Sequence, residues 1–369
     1  MSKSTPLLQH YSEIGAEIGE FANWRTPLWF TSNREEHIAV RSSAGIFDVT
    51  HMTRILVEGR DAEKLLQEKL TIDVQKIKSG KMKYSLMCNE AGGIIDDLTI
   101  LKHPSIPERY IITSNAVTHD KVLRILKSSS QNLNVEIEDI TFKTCLFAIQ
   151  GPRSLEVVSK FTNLDLKNLK WFTSIETNIE GVETLLIRSG YTGENGYELL
   201  LWSWDIEKLK KIWNDIVKLG VTPCGLAARD SLRLESGYPL YGQDIDEETN
   251  PVEARLMFAV DMSKQKFTGK ESIEKILREG GPKRFLVYFK CIERAIPRKG
   301  YQILDMNGRL VGEVTSGGFS FTLGIGIGLC YVKSDYAREG ERLKLKVKDK
   351  EREIEITLNP IVPHRMKEA

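Results

Sequence analysis

Apolar residues recur along residues 1–280 with two different spacings, which predict strands and helices in alternation. Every-second-residue spacing predicts strands near residues 45–49, 54–57, 83–88, 94–101, 109–114, 133–138 and 144–150, and two more between 183 and 202. A spacing of three to four predicts helices near residues 33–43, 61–70, 119–128, 153–161, 206–217, 225–236 and 271–279. Because several strands follow one another directly, the pattern favours an α+β fold over a doubly wound parallel sheet.

Polar residues and a glycine mark the ends of two of these helices. Asp61 and Asp205 each stand directly before a helical pattern, where a short side chain can accept hydrogen bonds from free backbone amides. Gly220 follows the second helix, at a position where a left-handed residue commonly ends a helix. We therefore expect both aspartates to cap helices.

The pattern changes after Gly280-Gly281-Pro282. Strand-like alternation then recurs without any helical pattern, near residues 284–290, 301–304, 309–315, 327–333, 342–348 and 351–358. Closely spaced strands of this kind predict a small barrel or sandwich. We therefore divide the chain into a larger region, residues 1–280, and a β domain, residues 281–369. The glycine-rich segment 324–328 lacks a following helix to bind phosphate, so we expect a tight hairpin there.

Composition and charge narrow the classes of function. The 369 residues are 41% hydrophobic and 28% charged, and the formal net charge of +1 offers no general attraction to nucleic acid or to an anionic membrane. The five cysteines are far apart without metal-binding or disulfide-framework spacing. Neither a targeting segment nor a membrane span is recognisable, so we expect a cytoplasmic protein.

The most informative stretch is the apolar strand IIDDLTIL, which carries two adjacent acids. Alternation places Asp96 on one face with Ile94, and Asp97 on the other face with Thr99. A buried carboxylate is costly unless it is paired or hydrogen-bonded. Either both acids lie near a solvated strand end, or the strand contributes to a functional site, and the stretch alone leaves both possibilities open.

Two further segments combine turns, aromatic rings and acids. The segment from Gly190 to Glu198 is compatible with an ordinary hairpin, but also with a site that stacks on a flat heterocycle and accepts hydrogen bonds from its N–H groups. The segment 238–246 has a similar composition. Arg229, on the helix between them, is either a surface residue paired with Asp230 or Glu235, or a clamp for a ligand carboxylate.

Other chemistries lack a recognisable pattern. The six histidines never adopt the spacing of a helical metal site, so no metal is expected. No nucleophile elbow occurs, and no cysteine has a histidine beside it in sequence.

Several motifs, taken together and in order, resemble the T-protein family of the glycine cleavage system, the aminomethyltransferases. The similarity runs from about residue 8 to about residue 363. The motifs are FDVTHM (47–52), NEAGGIIDDL (89–98), IQGP (149–152), GYTGE (190–194), GLAARDSLRLE (225–235) and VTSG (314–317).

The resemblance implies a cloverleaf in which two interleaved α+β domains and a C-terminal β-barrel surround a folate-binding hole. It implies transfer of the one-carbon unit from the aminomethylated dihydrolipoyl arm of H-protein to tetrahydrofolate or a related reduced pterin, with release of ammonia. Asp97 matches the family's catalytic carboxylate. The residues that match its pterin-binding positions are Tyr84, Tyr191, Glu198 and Arg229.

Two positions depart from the family pattern. Phe258 stands where a tryptophan is expected and keeps a stacking face, so we retain it among the pterin-binding residues. Met366 stands where a tyrosine is common and lacks its hydroxyl group. The alternative function is a non-catalytic pterin-binding or H-protein-docking module of the same fold.

One charged stretch concerns the docking of H-protein. Lys76, Lys78, Lys81 and Lys83 precede the strand that leads to the two acids. They form either a basic rim on which an acidic H-protein docks, or a lysine-rich hairpin exposed to solvent.

Overall fold

The computed structural model describes residues 2–366. The α-helices in this range are α1 (Leu8–Glu13), α2 (Asn33–Ser42), α3 (Ala62–Lys69), α4 (His119–Ser129), α5 (Ser154–Val158), α6 (Ile206–Lys218), α7 (Leu226–Glu235) and α8 (Lys270–Arg278).

The first fourteen strands are β1 (Lys3–Ser4), β2 (Glu17–Phe21), β3 (Trp24–Trp29), β4 (Gly45–Asp48), β5 (Thr53–Glu58), β6 (Met82–Cys88), β7 (Ile94–Lys102), β8 (Arg109–Ser114), β9 (Glu136–Asp139), β10 (Cys145–Gln150), β11 (Thr173–Ile179), β12 (Val182–Arg188), β13 (Gly196–Leu201) and β14 (Thr222–Cys224). The remaining strands are β15 (Arg284–Cys291), β16 (Gln302–Leu304), β17 (Leu310–Ser320), β18 (Ile325–Lys333), β19 (Arg342–Val347) and β20 (Lys350–Thr357).

Two large sheets form the body of the first region. One has the order β11-β12-β13-β10-β4-β14 and the other the order β6-β7-β8-β5-β9. The chain leaves the first sheet after β4, builds the whole second sheet, and returns through β10, which pairs with β4. The two α+β units are therefore interleaved in sequence. A small sheet, β1-β3-β2, precedes them.

The two large sheets pack face to face. Leu101 and Ile111 of one sheet share a buried cluster with Leu146 and Leu200 of the other. On the outer faces, α6 covers the six-stranded sheet, while α3 and α4 cover the five-stranded sheet. Side chains of β7 therefore alternate between the space between the sheets and the layer below α3 and α4.

The last six strands close a barrel in the order β15-β18-β17-β16-β19-β20. The prediction of an α+β fold with a C-terminal β-barrel is confirmed. The glycine-rich segment forms the β17–β18 hairpin and the start of β18, with Gly324 in the left-handed region at φ +72°. The division at residue 280 stays a prediction.

The two expected helix caps have different outcomes. The carboxylate of Asp205 accepts hydrogen bonds from the amides of Glu207 and Lys208, at 3.0 and 3.2 Å, and caps α6 as predicted. Asp61 precedes α3, but its carboxylate accepts the amide of Asn134 at 2.7 Å instead. The prediction for Asp61 was wrong because a distant loop supplies the donor, which local sequence does not reveal.

Among residues 2–366, no helix combines the length and the apolar composition needed to cross a bilayer.

Candidate functional site

A cavity of about 700 Å³ lies where the two large sheets, α7 and the C-terminal residues meet. Its size is in the range of small-molecule sites. The cavity brings together every residue that the sequence predicts for the site, namely Tyr84, Asp97, Tyr191, Glu198, Arg229 and Phe258.

The two acids of β7 face opposite sides of the sheet. Asp97 is half-buried and lines the cavity, whereas Asp96 has no exposed surface and points toward the layer below α3 and α4. Both acids lie well inside the structure, so a solvated strand end does not explain them. The strand instead presents one carboxylate to the cavity and buries the other behind it.

Asn115, directly after β8, ties the two acids together. Its side-chain amide donates to Asp96 Oδ1 at 2.7 Å and to Asp97 Oδ1 at 2.9 Å, and its backbone amide donates to Asp96 Oδ2 at 3.3 Å. The hydroxyl of Tyr84 donates to Asp97 Oδ2 at 3.0 Å. Both oxygens of Asp97 are therefore held in place, and the carboxylate is fixed in orientation.

Burial is the largest influence on the pKa values of Asp96 and Asp97. It raises the pKa of Asp97 to about 6, against the hydrogen bonds from Tyr84 and Asn115, which lower that pKa. Burial, together with the charge of Asp97, holds the pKa of Asp96 well above its usual range. Asp97 is consequently the member of the pair that ionises near neutral pH, and its basicity suits proton acceptance.

Glu198 on β13 offers a second carboxylate to the cavity. The hydroxyl of Ser189 donates to its Oε2, while Oε1 accepts no hydrogen bond from residues 2–366. Burial raises the pKa of Glu198, and the Ser189 hydrogen bond and the charge of Arg229 oppose this rise. One carboxylate oxygen therefore remains available for an N–H donor of a ligand.

Arg229 projects from α7 into the same cavity. Its guanidinium carbon lies 4.7 Å from the centroid of the Tyr191 ring. The alternative in which Arg229 pairs with Asp230 or Glu235 does not hold, because Asp230 binds Arg233 and Glu235 binds Arg41. Burial lowers the pKa of Arg229, and within residues 2–366 its side chain has no hydrogen-bond acceptor.

Aromatic rings form the apolar walls. Phe258 is 77% exposed at the edge of the cavity and stacks on Tyr84, with centroids 5.8 Å apart and planes inclined by 19°. Tyr191 stacks on Tyr238 at 5.4 Å, with its hydroxyl donating to the carbonyl of Pro239. The cavity thus presents ring faces, a fixed carboxylate, a second carboxylate with a free oxygen, and a free guanidinium. This set suits a planar heterocycle that carries N–H donors and an anionic or carbonyl group.

Sequence reasoning missed Asn115 and Tyr238. Asn115 is a polar residue directly after a strand, but its importance becomes clear only when β8 is known to neighbour β7. Tyr238 belongs to a segment that the sequence singled out without giving the residue a role. Its hydroxyl donates to the sulfur of Met366 at 3.2 Å, so the methionine that departs from the family pattern still supplies an acceptor.

Comparison with known proteins gives a consistent result over almost the whole chain. Residues 7–264 match the profile described as GCVT N-terminal domain, and residues 284–362 match the Glycine cleavage T-protein C-terminal barrel domain. The aminomethyltransferase of Halothermothrix orenii is 42% identical over 345 residues, covering 92% of this chain and 94% of that protein. The aminomethyltransferase of Thermotoga maritima is 41% identical, covering 92% of each chain.

A solved structure is similar along its full length. The crystal structure of glycine cleavage system aminomethyltransferase T from Bartonella henselae matches with a TM-score of 0.91 and 31% sequence identity. The match covers 99% of both chains.

Proposed function

The chain belongs to the glycine cleavage T-protein family and is an aminomethyltransferase, and we propose that it uses the cavity around Asp97 to bind tetrahydrofolate or a related reduced pterin. The proposed donor is the aminomethylated dihydrolipoyl arm of an H-protein. Asp97 is the proposed catalytic residue. The proposed pterin-binding residues are Tyr84, Tyr191, Glu198, Arg229 and Phe258.

The observation that carries the proposal is the combination of free and fixed polar groups in one cavity. In the part of the chain that the structure describes, Glu198 Oε1 and the Arg229 guanidinium have no hydrogen-bond partner, while Asp97 is held at both oxygens. Leaving buried polar groups unpaired costs free energy, so such groups are expected where a ligand completes their hydrogen bonds. The Tyr84–Phe258 pair supplies the ring faces that a pterin stacks against.

The proposed reaction requires few protein groups. When bound, tetrahydrofolate supplies the nitrogen that attacks the aminomethyl carbon, which ends as a methylene between two folate nitrogens while ammonia and the dihydrolipoyl thiol leave. Of the two N–H protons lost in this exchange, one goes to the thiolate and the other to the departing amino group, which leaves as ammonia. Asp97 accepts a proton or stabilises the positive charge on the attacking nitrogen. Tyr84 and Asn115 hold its carboxylate in position for this role.

Glu198 and Arg229 act in binding and orientation. The free oxygen of Glu198 accepts N–H groups of the pterin ring, and Arg229 donates to a carbonyl or carboxylate of the same ligand. The Tyr84–Phe258 and Tyr191–Tyr238 stacks border the cavity and form its apolar walls.

The partner and the compartment belong to the proposal as well. The five cysteines are free, buried thiols, which fits a reducing compartment such as the cytoplasm. The net charge of +1 gives no reason to expect nucleic acid or membrane as partners. Docking of the H-protein on the lysine-rich stretch of residues 76–83 stays a prediction.

The test is release of ammonia from aminomethylated H-protein with and without tetrahydrofolate, combined with calorimetric titration of tetrahydrofolate. We expect ammonia release to depend strongly on tetrahydrofolate, and the pterin to bind in the titration. Pterin binding without any ammonia release would favour the non-catalytic module. Absence of pterin binding would refute the proposed use of the cavity.

A further inference from the structure

A stack of planar side chains runs along one wall of the cavity, from α7 to the C-terminal tail, which we define as residues 358–366. The guanidinium carbon of Arg229 lies 4.7 Å from the centroid of the Tyr191 ring. The rings of Tyr191 and Tyr238 follow, with centroids 5.4 Å apart and planes inclined by 17°. His364 of the tail ends the stack, 5.1 Å from the Tyr238 centroid and inclined by 34°.

Arg229 depends on this stack for its position. Within residues 2–366 its guanidinium has no hydrogen-bond acceptor, and the charged carboxylates nearest to it along α7 are bound to other cations. The face of Tyr191 is therefore its structural contact. A long side chain that packs on a ring face and has no hydrogen-bond acceptor in residues 2–366 is expected to change its orientation when that ring moves.

The two tyrosines are held by both the loop and the tail. Tyr191 donates its hydroxyl to the carbonyl of Pro239, in the loop after α7. Tyr238 donates its hydroxyl to the sulfur of Met366, and its ring contacts His364. The far end of the stack therefore rests on tail residues.

The tail is anchored independently of the stack. The amide of Val362 donates to the carbonyl of Glu235 at 2.9 Å, and the amide of Arg365 donates to the carbonyl of Gly193 at 2.7 Å. The side chain of Arg365 forms an ion pair with the buried Glu194. His364 Nε2 also donates to the carbonyl of Ser236 at 2.8 Å, a contact separate from the packing of its ring on Tyr238.

We propose that His364 is a positioning residue for Arg229, acting through the stacked rings of Tyr238 and Tyr191. The C-terminal tail that follows the barrel thereby sets the orientation of a ligand-binding group in the cavity between the sheets. Orienting a flexible guanidinium before binding reduces the entropy that ligand binding must overcome. The inference deepens the proposed function, because it takes the reduced pterin as the ligand that Arg229 meets.

Two substitutions distinguish the contribution of the His364 ring from that of its hydrogen bond. His364→Phe keeps a flat ring and removes the N–H donor, whereas His364→Asn keeps a donor and removes the ring. A stacking contact of this kind predicts that His364→Asn weakens tetrahydrofolate binding about 2- to 10-fold, with His364→Phe close to the wild type. His364 is exposed, so both variants are expected to unfold at the wild-type temperature.

A double-mutant cycle tests whether the effect of His364 on tetrahydrofolate binding passes through Arg229. In an Arg229→Ala background, His364→Asn should weaken tetrahydrofolate binding no further, because the residue on which it acts is gone. The same loss in both backgrounds would overturn the proposal, since the tail would then act on the ligand independently of Arg229. Wild-type affinity in His364→Asn would overturn it as well.

A second measurement needs no pterin. Phenylglyoxal modifies accessible arginines, and peptide mass spectrometry gives the rate at Arg229 itself. We expect Arg229 to react about 2- to 10-fold faster in His364→Asn and at the wild-type rate in His364→Phe, as loss of the stack frees the guanidinium. An unchanged rate in His364→Asn overturns the inference. If the variants show the expected rates but the wild-type protein binds no tetrahydrofolate, only the proposed ligand is refuted.

Discussion

Helix α7 carries two arginines four residues apart, and they lie in two contrasting regions. Arg229 faces the cavity and forms no ion pair with a carboxylate of residues 2–366. Arg233 is 2% exposed and forms ion pairs with Asp230 at 2.8 Å and Asp244 at 2.9 Å. The second region, which we call the junction cluster, joins α7 to α2, to the loop before β13 and to the barrel. Its members are Arg41, Glu194, Arg233, Glu235 and Asp244.

The pKa of Glu235 in the junction cluster is shifted in the opposite direction from the pKa values of Asp97 and Glu198 in the cavity. Burial alone would raise the pKa of Glu235, but His37, Ser320 and Arg41 lower it to about 2. In the cavity, burial raises the pKa of Asp97 to about 6 and also raises that of Glu198. The junction cluster compensates its charges with protein partners. In the cavity, the proposed ligand would supply part of that compensation.

The comparison separates buried charges that hold the fold from half-buried charges that we propose serve the chemistry. Residue type does not distinguish them, since each region contains arginine and glutamate and α7 contributes an arginine to both. The distinction lies in whether each charge finds a partner within the protein. Substitutions in the junction cluster should therefore reduce stability, and substitutions in the cavity should reduce function.

The largest expected effect concerns Asp97. We expect Asp97→Asn to lower turnover about 10²- to 10⁴-fold with little change in pterin affinity, because it keeps the shape and removes charge and proton acceptance. Ammonia release under saturating substrates measures turnover, and calorimetry measures affinity. Asp96→Asn is the matched control and should reduce turnover less. The reverse order would mean that Asp96, not Asp97, serves the reaction.

Next in size is a loss of stability from the junction cluster. Glu235→Gln leaves Arg41 without one of its two carboxylate partners, and we expect the free energy of unfolding to fall by about 3–5 kcal/mol at pH 7. Chemical denaturation followed by circular dichroism measures the change.

The matched control for Glu235→Gln is Glu198→Gln in the cavity, which should lower the free energy of unfolding at pH 7 by less. The raised pKa of Glu198 means that folding disfavours its ionised form, so any stabilisation it gives is present at low pH and is lost as pH rises through that pKa. For Glu235 the pKa is lowered, so its stabilisation is present above about pH 4.3 and is lost as pH falls toward 2. Equal destabilisation by the two variants at pH 7 would contradict the contrast between the regions.

Glu198→Gln should instead weaken binding of the reduced pterin. The amide offers one acceptor oxygen without charge, and we expect a loss of about 1–3 kcal/mol in binding free energy. Calorimetric titration with tetrahydrofolate measures it. Glu183→Gln, an exposed change on the neighbouring strand β12, is the control and should bind like the wild type. Unchanged affinity in Glu198→Gln would remove this residue from the binding site.

Much of this arrangement was predictable from sequence, and the failures have physical causes. Alternation in β7 is a local property, so it placed Asp97 and Asp96 on opposite faces without knowledge of the fold. The junction cluster and the contact of Tyr238 with Met366 join residues distant in sequence, and no local spacing reveals them. Strand β2 was missed because its residues are mostly exposed, which leaves a weak apolar alternation.

A smaller effect should appear in the pH dependence. Proton acceptance needs the ionised form of Asp97, whose pKa burial raises to about 6, so kcat/KM should fall about tenfold per pH unit below that value. Rates measured between pH 5 and 8 test this. Glu235, with a pKa near 2, does not titrate in this range. If kcat/KM of the Asp97→Asn variant falls in the same way at low pH, the fall must be assigned to another group.

The smallest expected effect concerns the lysine-rich stretch, where the structure limits which side chains are free to meet a partner. Lys76 forms ion pairs with Asp73 and Asp261, and the ammonium of Lys81 donates to Thr173. Lys78 and Lys83 are exposed. Burial, followed by the charges of Lys170, Lys83 and Lys78, lowers the pKa of Lys81.

Replacing Lys78 and Lys83 by Glu should therefore raise the KM for aminomethylated H-protein about two- to fivefold at low salt, if the stretch is the docking rim. The effect should shrink as salt screens charges beyond about 8–10 Å. The same replacements at the exposed Lys346 and Lys350 of the barrel change the net charge equally and serve as the control. If both double variants behave alike at every ionic strength, residues 76–83 act only as a solvated hairpin, and H-protein approaches the cavity from another side.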